Sequence, residues 1–231
     1  MPTWKQNFDN FFNLFLQSNC PLCQRPTSSE FCPYCTQQLK NCQHKDPTAL
    51  WQQPIPVFGW GIYDGILKRA IAMMKYDNQP QIARPLGQWL GEAWLLSNLS
   101  NCKQKVPLVI PIPLHPNKQK KRGYNQAALI AESFCQTTGL KLRVNGLKRV
   151  QDTKAQFGLS VSERESNLAE AFAVGEELRN CRLHVPVLLV DDIYTTGATT
   201  RSAVKILNEN GIAVFGLLAV TTAVKDKYTK S

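Results

Sequence analysis

The sequence predicts an α/β fold, a parallel sheet with flanking helices, preceded by a small cysteine-rich module. Three observations predict it. The apolar runs Leu108 to Ile112, Val187 to Val190 and Ile212 to Val220 are continuous rather than alternating, as strands buried on both faces require. Helical periods separate the strands, which implies parallel strands joined by right-handed crossovers. Five of the eight cysteines fall between residues 20 and 42, outside that pattern.

The elements follow in chain order. Trp4, Phe8, Phe11, Phe12 and Phe15 recur at helical spacing and predict a short helix docked by its aromatic face; its polar face carries only Lys5, too little charge for a membrane-surface helix. Residues 1–50 make up this helix and the cysteine module. The Pro-bearing stretch Pro47, Pro54, Pro56 has no period and contains the linker, residues 51–57, before the larger domain, residues 58–231. Ile66, Ala70 and Met73 mark one helix; Ile82, Leu86, Trp89, Leu90 and Ala93 mark a stronger one after Pro80. Ala127, Ile130, Ala131 and Phe134 mark a third that ends at Gly139, and Leu140, Leu142 and Val144 alternate as a short strand. Leu147 to Asn167 reads as a long polar loop, a length that compact domains keep for function or leave disordered. A last helix with Ala203, Val204 and Leu207 joins the final two strands.

Charge points to anionic company. The 231 residues carry a formal net charge of +10, which attracts nucleic acid, acidic lipid or phosphorylated metabolites. The densest basic run, Lys118, Lys120, Lys121 and Arg122, reads as either a phosphate contact or a solvated loop. No apolar run approaches the roughly 18 to 20 residues of a membrane span, and the amino terminus lacks the pattern of a secretory signal, so the expected location is cytoplasmic.

Cytosolic thiols stay reduced, so clustered cysteines point to metal. Cys20-Pro-Leu-Cys23 and Cys32-Pro-Tyr-Cys35 are two Cys-x2-Cys knuckles separated by eight residues, a spacing that lets four thiolates converge tetrahedrally on one structural zinc ion. Cys42 and His44 lie just beyond and are alternative ligands; Cys102, Cys135 and Cys181 read as small neutral residues.

The most informative segment is Val187 to Thr200. It delivers Asp191 and Asp192 at the carboxyl end of a buried strand, then a turn, Thr195-Thr196-Gly197-Ala198-Thr199-Thr200, then a helix. Free N–H groups at a helix start, with Thr hydroxyls, suit a phosphate dianion, and Gly197 lets the backbone approach it. Two adjacent carboxylates exceed what a helix cap needs; a vicinal diol with magnesium nearby would partner them.

This segment resembles the signature of the type I phosphoribosyltransferases. By that resemblance Asp191 and Asp192 hold the ribose 2- and 3-hydroxyls of phosphoribosyl pyrophosphate, and Thr195, Thr196, Gly197, Ala198 and Thr199 hold its 5-phosphate, with magnesium. Residues 110–126, Ile-Pro-Ile-Pro through Arg122-Gly123-Tyr124-Asn125-Gln126, together with Lys148-Arg149, Gln156, Arg164, Asn167 and Phe172, resemble the ComF-type proteins linked to DNA uptake in natural competence. The resemblance implies that Arg122 contacts pyrophosphate and that residues 147–167 form a lid carrying Lys148, Arg149 and Arg164 as catalytic candidates. Three roles, in DNA uptake or nucleotide metabolism, are compatible with it: an active transferase, a regulator that responds to the nucleotide sugar, and an adaptor for single-stranded DNA and uptake proteins.

Overall fold

The computed structural model describes residues 18–101, 106–150, 171–179 and 185–223. The aromatic segment at Trp4 to Phe15, together with Cys102, Gln156, Arg164, Asn167 and Cys181, lies outside the described residues.

The cysteine module opens with the short antiparallel strands β1 (Ser18–Asn19) and β2 (Pro26–Thr27), followed by helix α1 (Pro33–Lys40). Pro33 suits the first turn of α1, where its missing N–H costs nothing, and Cys32 takes the N-cap position. The module does not stand apart from the sheet. Phe31 stacks on Trp89 at 6.3 Å between centroids, and Trp89 stacks in turn on Trp60 at 5.6 Å. Leu22, Phe31 and Leu39 are buried in the same core as Phe58 and Trp60, each contributing about 1.5–3 kcal/mol by leaving water. Glu30 pairs with Arg84 beside them.

Five strands among the described residues form the main sheet: β3 (Val57–Ile62), β4 (Leu108–Pro111), β5 (Lys141–Leu142), β8 (Val187–Tyr194) and β9 (Val214–Thr222). All pair in parallel, in the order β3-β9-β8-β4-β5. The expected parallel α/β architecture with flanking helices is therefore present. Helix α2 (Gly65–Tyr76) follows β3, with Asp64 accepting from the Gly65 N–H at its start. Helices α3 (Ala83–Leu96) and α5 (Gln126–Thr138) pack together on one face over Phe58, Val109, Leu188, Val190 and Leu218. Their axes come close because Gly87 has no side chain; a Cβ there would lie 2.4 Å from the Ile130 carbonyl oxygen. Helix α7 (Ala198–Glu209) covers the other face through Ala203 and Leu207, over Leu189, Leu217 and Ala219.

Two segments differ from the sequence expectation. Leu147–Arg149, expected as loop, is strand β6, antiparallel to β7 (Phe172–Val174), and helix α6 (Glu176–Arg179) follows. The pairing buries Leu147 against Phe172 and Val174. Only a partner more than twenty residues downstream makes this strand, so no local period reveals it. The basic run is helical rather than a loop. It forms α4 (Pro116–Arg122), with Pro116 in the first turn, the His115 Nδ1 accepting from the Asn117 N–H at 3.3 Å, and Gly123 at φ 87° closing it.

Along β3 lies the antiparallel segment from Gln43 to Leu50. Gln43 bridges Gly61, Leu50 bridges Val57, and the His44 N–H donates to the Trp60 carbonyl at 2.9 Å.

Candidate functional site

Parallel pairing brings several strand ends to one edge of the sheet. Pro111 is in register with Val190, and the Ile112 N–H donates to the Val190 carbonyl at 2.8 Å, so the loop after β4 emerges beside Asp191. Asp191 pairs in register with Ala219 on the other side. Strand β8 continues past both carboxylates to Tyr194, and the turn to α7 follows. This is the edge at which open α/β sheets bind ligands.

The carboxylates differ in environment. Asp192 is 3% exposed, and its Oδ2 lies 2.7 Å from the Lys75 Nζ. Asp191 is partly exposed; its Oδ1 accepts from the Asp192 N–H at 2.8 Å. Loss of water around it, and then repulsion from Asp192, push its carboxyl well above the usual carboxylate range, opposed by that N–H and by Lys75. Thr221 Oγ donates to the Asp192 carbonyl at 3.0 Å and fixes the strand at this point.

The turn is built for close backbone approach. Gly197 occupies the N-cap of α7 at φ 74°, and it brings no side chain to compete for the helix-start N–H groups. A Cβ at Gly197 would lie 2.8 Å from the Tyr194 hydroxyl, which packs beneath the turn. Arg201 donates from Nη1 to the Thr196 carbonyl at 2.7 Å and tethers the turn to its own helix. Ala198 and Thr199 are half-buried in the first turn of α7, and Thr195 and Thr196 are exposed.

Each residue of Arg122-Gly123-Tyr124-Asn125-Gln126 has a structural task. Gly123 ends α4; Asn125 caps α5 through the Ala127 N–H and donates to the Ile112 carbonyl at 3.0 Å, tying α5 to the end of β4. Gln126 accepts from Arg122, whose guanidinium lies 5.9 Å from the Tyr76 ring. Tyr124 donates its hydroxyl to the Met74 carbonyl. Arg122 is thus brought beside Tyr76, the last residue of α2. Lys148 instead pairs with Glu176 at 2.5 Å, and the Arg149 guanidinium lies over the Phe172 ring at 5.3 Å, both on the β6–β7 ribbon.

Sequence reading overlooked Lys75 and Arg201. Lys75 stands in the last turn of a helix, where a basic residue needs no special reason. Its signal was available only as a lysine next to the buried Met74.

The cysteine cluster brings together all four expected residues. The Sγ atoms of Cys20, Cys23, Cys32 and Cys35 lie within 4.8 Å of one another, compatible with the roughly 3.8 Å sulfur separations that Zn–S bonds of about 2.3 Å imply. The Cys35 N–H, donating to Cys32 Sγ at 3.5 Å, brings the Cys32 thiol down to about 7, while burial and the neighbouring thiols push Cys35 far up. Four thiolates cannot share this space uncompensated, and a metal ion such as zinc is the cation that fits it. Neither alternative ligand joins: Cys42 Sγ contacts the Gln38 carbonyl, and His44 Nε2 bonds Thr222 Oγ at 2.9 Å.

Fold and site together define a parallel α/β protein whose sheet edge carries a carboxylate pair and a helix start, with an amino-terminal module whose four clustered cysteines suit a metal ion such as zinc. The chain belongs to the competence protein F family. It is 32% identical over 230 residues to competence protein F of Haemophilus influenzae, covering 91% of this chain and 98% of that one. The DNA utilization protein YhgH of Salmonella typhimurium is 29% identical over 196 residues, covering 85% and 80% of the two chains. Competence protein ComFC of Bacillus subtilis is 28% identical over 203 residues, covering 84% and 73%. No family model matches the chain. Among solved structures, adenine phosphoribosyltransferase of Trypanosoma brucei superposes with a TM-score of 0.39 at 11% identity, over 84% of this chain and 69% of that one. That superposition is too loose to bear on the site. No described helix is long and apolar enough to cross a membrane.

Proposed function

We propose that the protein binds phosphoribosyl pyrophosphate with magnesium at the edge formed by Asp191, Asp192 and the Thr195–Thr199 turn, and acts in DNA uptake. One observation carries the reading: two adjacent carboxylates and a side-chain-free helix start, with four residues between them, lie at the carboxyl end of a central parallel strand. Carboxylates accept from a diol, and the helix start takes the phosphate. The residues fit magnesium as well, since Asp191 retains partly exposed surface. The ion would neutralise the pyrophosphate leaving group. Arg122 is the candidate pyrophosphate contact, and Lys148, Arg149 and Arg164 are candidate catalytic residues. Relatives named for competence and DNA utilization support the process.

Phosphoribosyl pyrophosphate with magnesium, supplied at 100 times its dissociation constant, should add about 2.7 kcal/mol of stability. That is a shift of roughly 2–4 °C per kcal/mol in thermal unfolding. Asp191→Asn with Asp192→Asn should remove the shift. A normal shift in that double variant overturns the site. Pyrophosphate release in a screen of acceptor bases separates a transferase from a regulator.

A second reading, single-stranded DNA binding, is favoured by helix α4. Lys118, Lys120 and Lys121 are exposed on it, and Arg122 stands beside Tyr76, which is 77% exposed. Lysines for phosphates next to an open aromatic ring for a base suit a single strand.

A further inference from the structure

The least expected contact at the site is the Lys75–Asp192 ion pair. Lys75 Nζ lies 2.7 Å from Asp192 Oδ2, with the two side chains 16% and 5% exposed. Lysine ordinarily carries its ammonium into water, and holding it here costs desolvation that a surface placement avoids. The end of α2 is also fastened: Met74, the preceding residue, is fully buried, and its carbonyl accepts from the Tyr124 hydroxyl. A cation is therefore placed against the carboxylate pair by packing on one side and by a hydrogen bond from the α4–α5 turn on the other.

We infer that Lys75 is a built-in cation of the diol site, a positioning residue that holds the Asp192 carboxylate in place, and that it lets the site take a phosphorylated ribose without a divalent metal. The inference rests on the phosphosugar reading above. Without Lys75 the carboxylate pair has no cation against it a few residues from a phosphate dianion, and like charges repel. Lys75 makes the net charge of the site less negative by one. The ammonium lies against one oxygen of the Asp192 carboxylate, which has no hydrogen-bond partner and keeps lone pairs for a hydroxyl of the sugar. Magnesium is then required by the diphosphate of a substrate that has one, and a sugar bearing only the 5-phosphate binds in its absence.

Titration calorimetry with ribose 5-phosphate, in EDTA and in millimolar magnesium, tests this on the full chain. Wild-type affinity should be the same in both buffers. Lys75→Met should lose about tenfold or more in EDTA, within the usual range of coupling between sites, and regain most of it in magnesium, because the uncompensated pair recruits the ion. Lys75→Arg keeps the cation and should bind without metal. If Lys75→Met folds poorly, Lys75→Met with Asp192→Asn removes the unpaired buried charge, and its binding should be weak and indifferent to magnesium. Binding by Lys75→Met in EDTA as tight as wild type overturns the inference, as does a loss that magnesium leaves untouched. Wild-type binding that needs magnesium overturns the role of Lys75 alone, whereas wild-type binding in neither buffer overturns the phosphosugar reading and this inference with it.

Discussion

The Tyr124 hydroxyl donates to the carbonyl of Met74 at 2.5 Å, fifty residues earlier, and so couples the α4–α5 turn to the helix end that carries Lys75. Tyr124→Phe removes this bond and leaves a partly buried carbonyl unpaired, at a cost of about 1–3 kcal/mol. The expected result is a lower midpoint in denaturant and weaker phosphosugar binding. Unchanged binding despite lost stability would show that the helix end does not depend on the turn.

The metal prediction follows from the shared core. Purified protein should hold about one zinc per chain, and because Phe31 stacks on Trp89, chelation should lower a single cooperative transition of the whole chain rather than release the module alone. Metal analysis and calorimetry with and without chelator check it. A chelator-sensitive transition separate from an unchanged main one would contradict it.

Asp191 gives a pH dependence. Its native value is raised, so the folded state keeps a proton that the unfolded state gives up near 3.9. The favourable contribution is complete below that unfolded value and is lost as pH rises through the raised native value. Asp191→Asn should therefore melt higher than wild type at pH 8, with the difference shrinking toward pH 4. A difference that is constant with pH would assign the effect to something other than ionisation.

At Gly197 two penalties coincide. The residue sits at φ 74°, and an added Cβ would meet the Tyr194 hydroxyl at 2.8 Å. Gly197→Val should cost at least about 1–2 kcal/mol from the backbone alone and should abolish the ligand-induced shift in melting temperature. Retained binding would mean that the phosphate does not approach this turn.

For single-stranded DNA, affinity should fall with salt at a log–log slope of about −0.7 per phosphate neutralised. Alanine at Lys120, Lys121 and Arg122 should flatten the slope. Tyr76→Ala should weaken binding by about 1–3 kcal/mol, leaving the slope as it was. If affinity and slope both survive the triple change, α4 is not the contact.

What was legible in the sequence was local. Continuous apolar runs marked β4, β8 and β9, and the four knuckle cysteines announced their own cluster. Leu147–Arg149 was not legible, because its strand exists only through pairing with Phe172–Val174. Lys75 was hidden for a related reason: its period assigns it to a helix end, and only the parallel alignment of β3, β9 and β8 sets that end against Asp192. Nor does the knuckle spacing show that Phe31 and Trp89 share a core, since stacking between distant aromatics leaves no periodic trace.

The strip from Gln43 to Leu50 beside β3 bears on how the molecule behaves in company. An uncovered border strand offers a row of free amides and carbonyls to any passing extended chain, and is a common start for aggregation. Here bridges at Gly61 and Val57 occupy that border, and the opposite one, β5, is two residues long. Among the described residues the sheet thus presents little template for recruiting a further strand, which favours a chain that stays dispersed at high concentration and meets its partners through side chains rather than by extending its sheet.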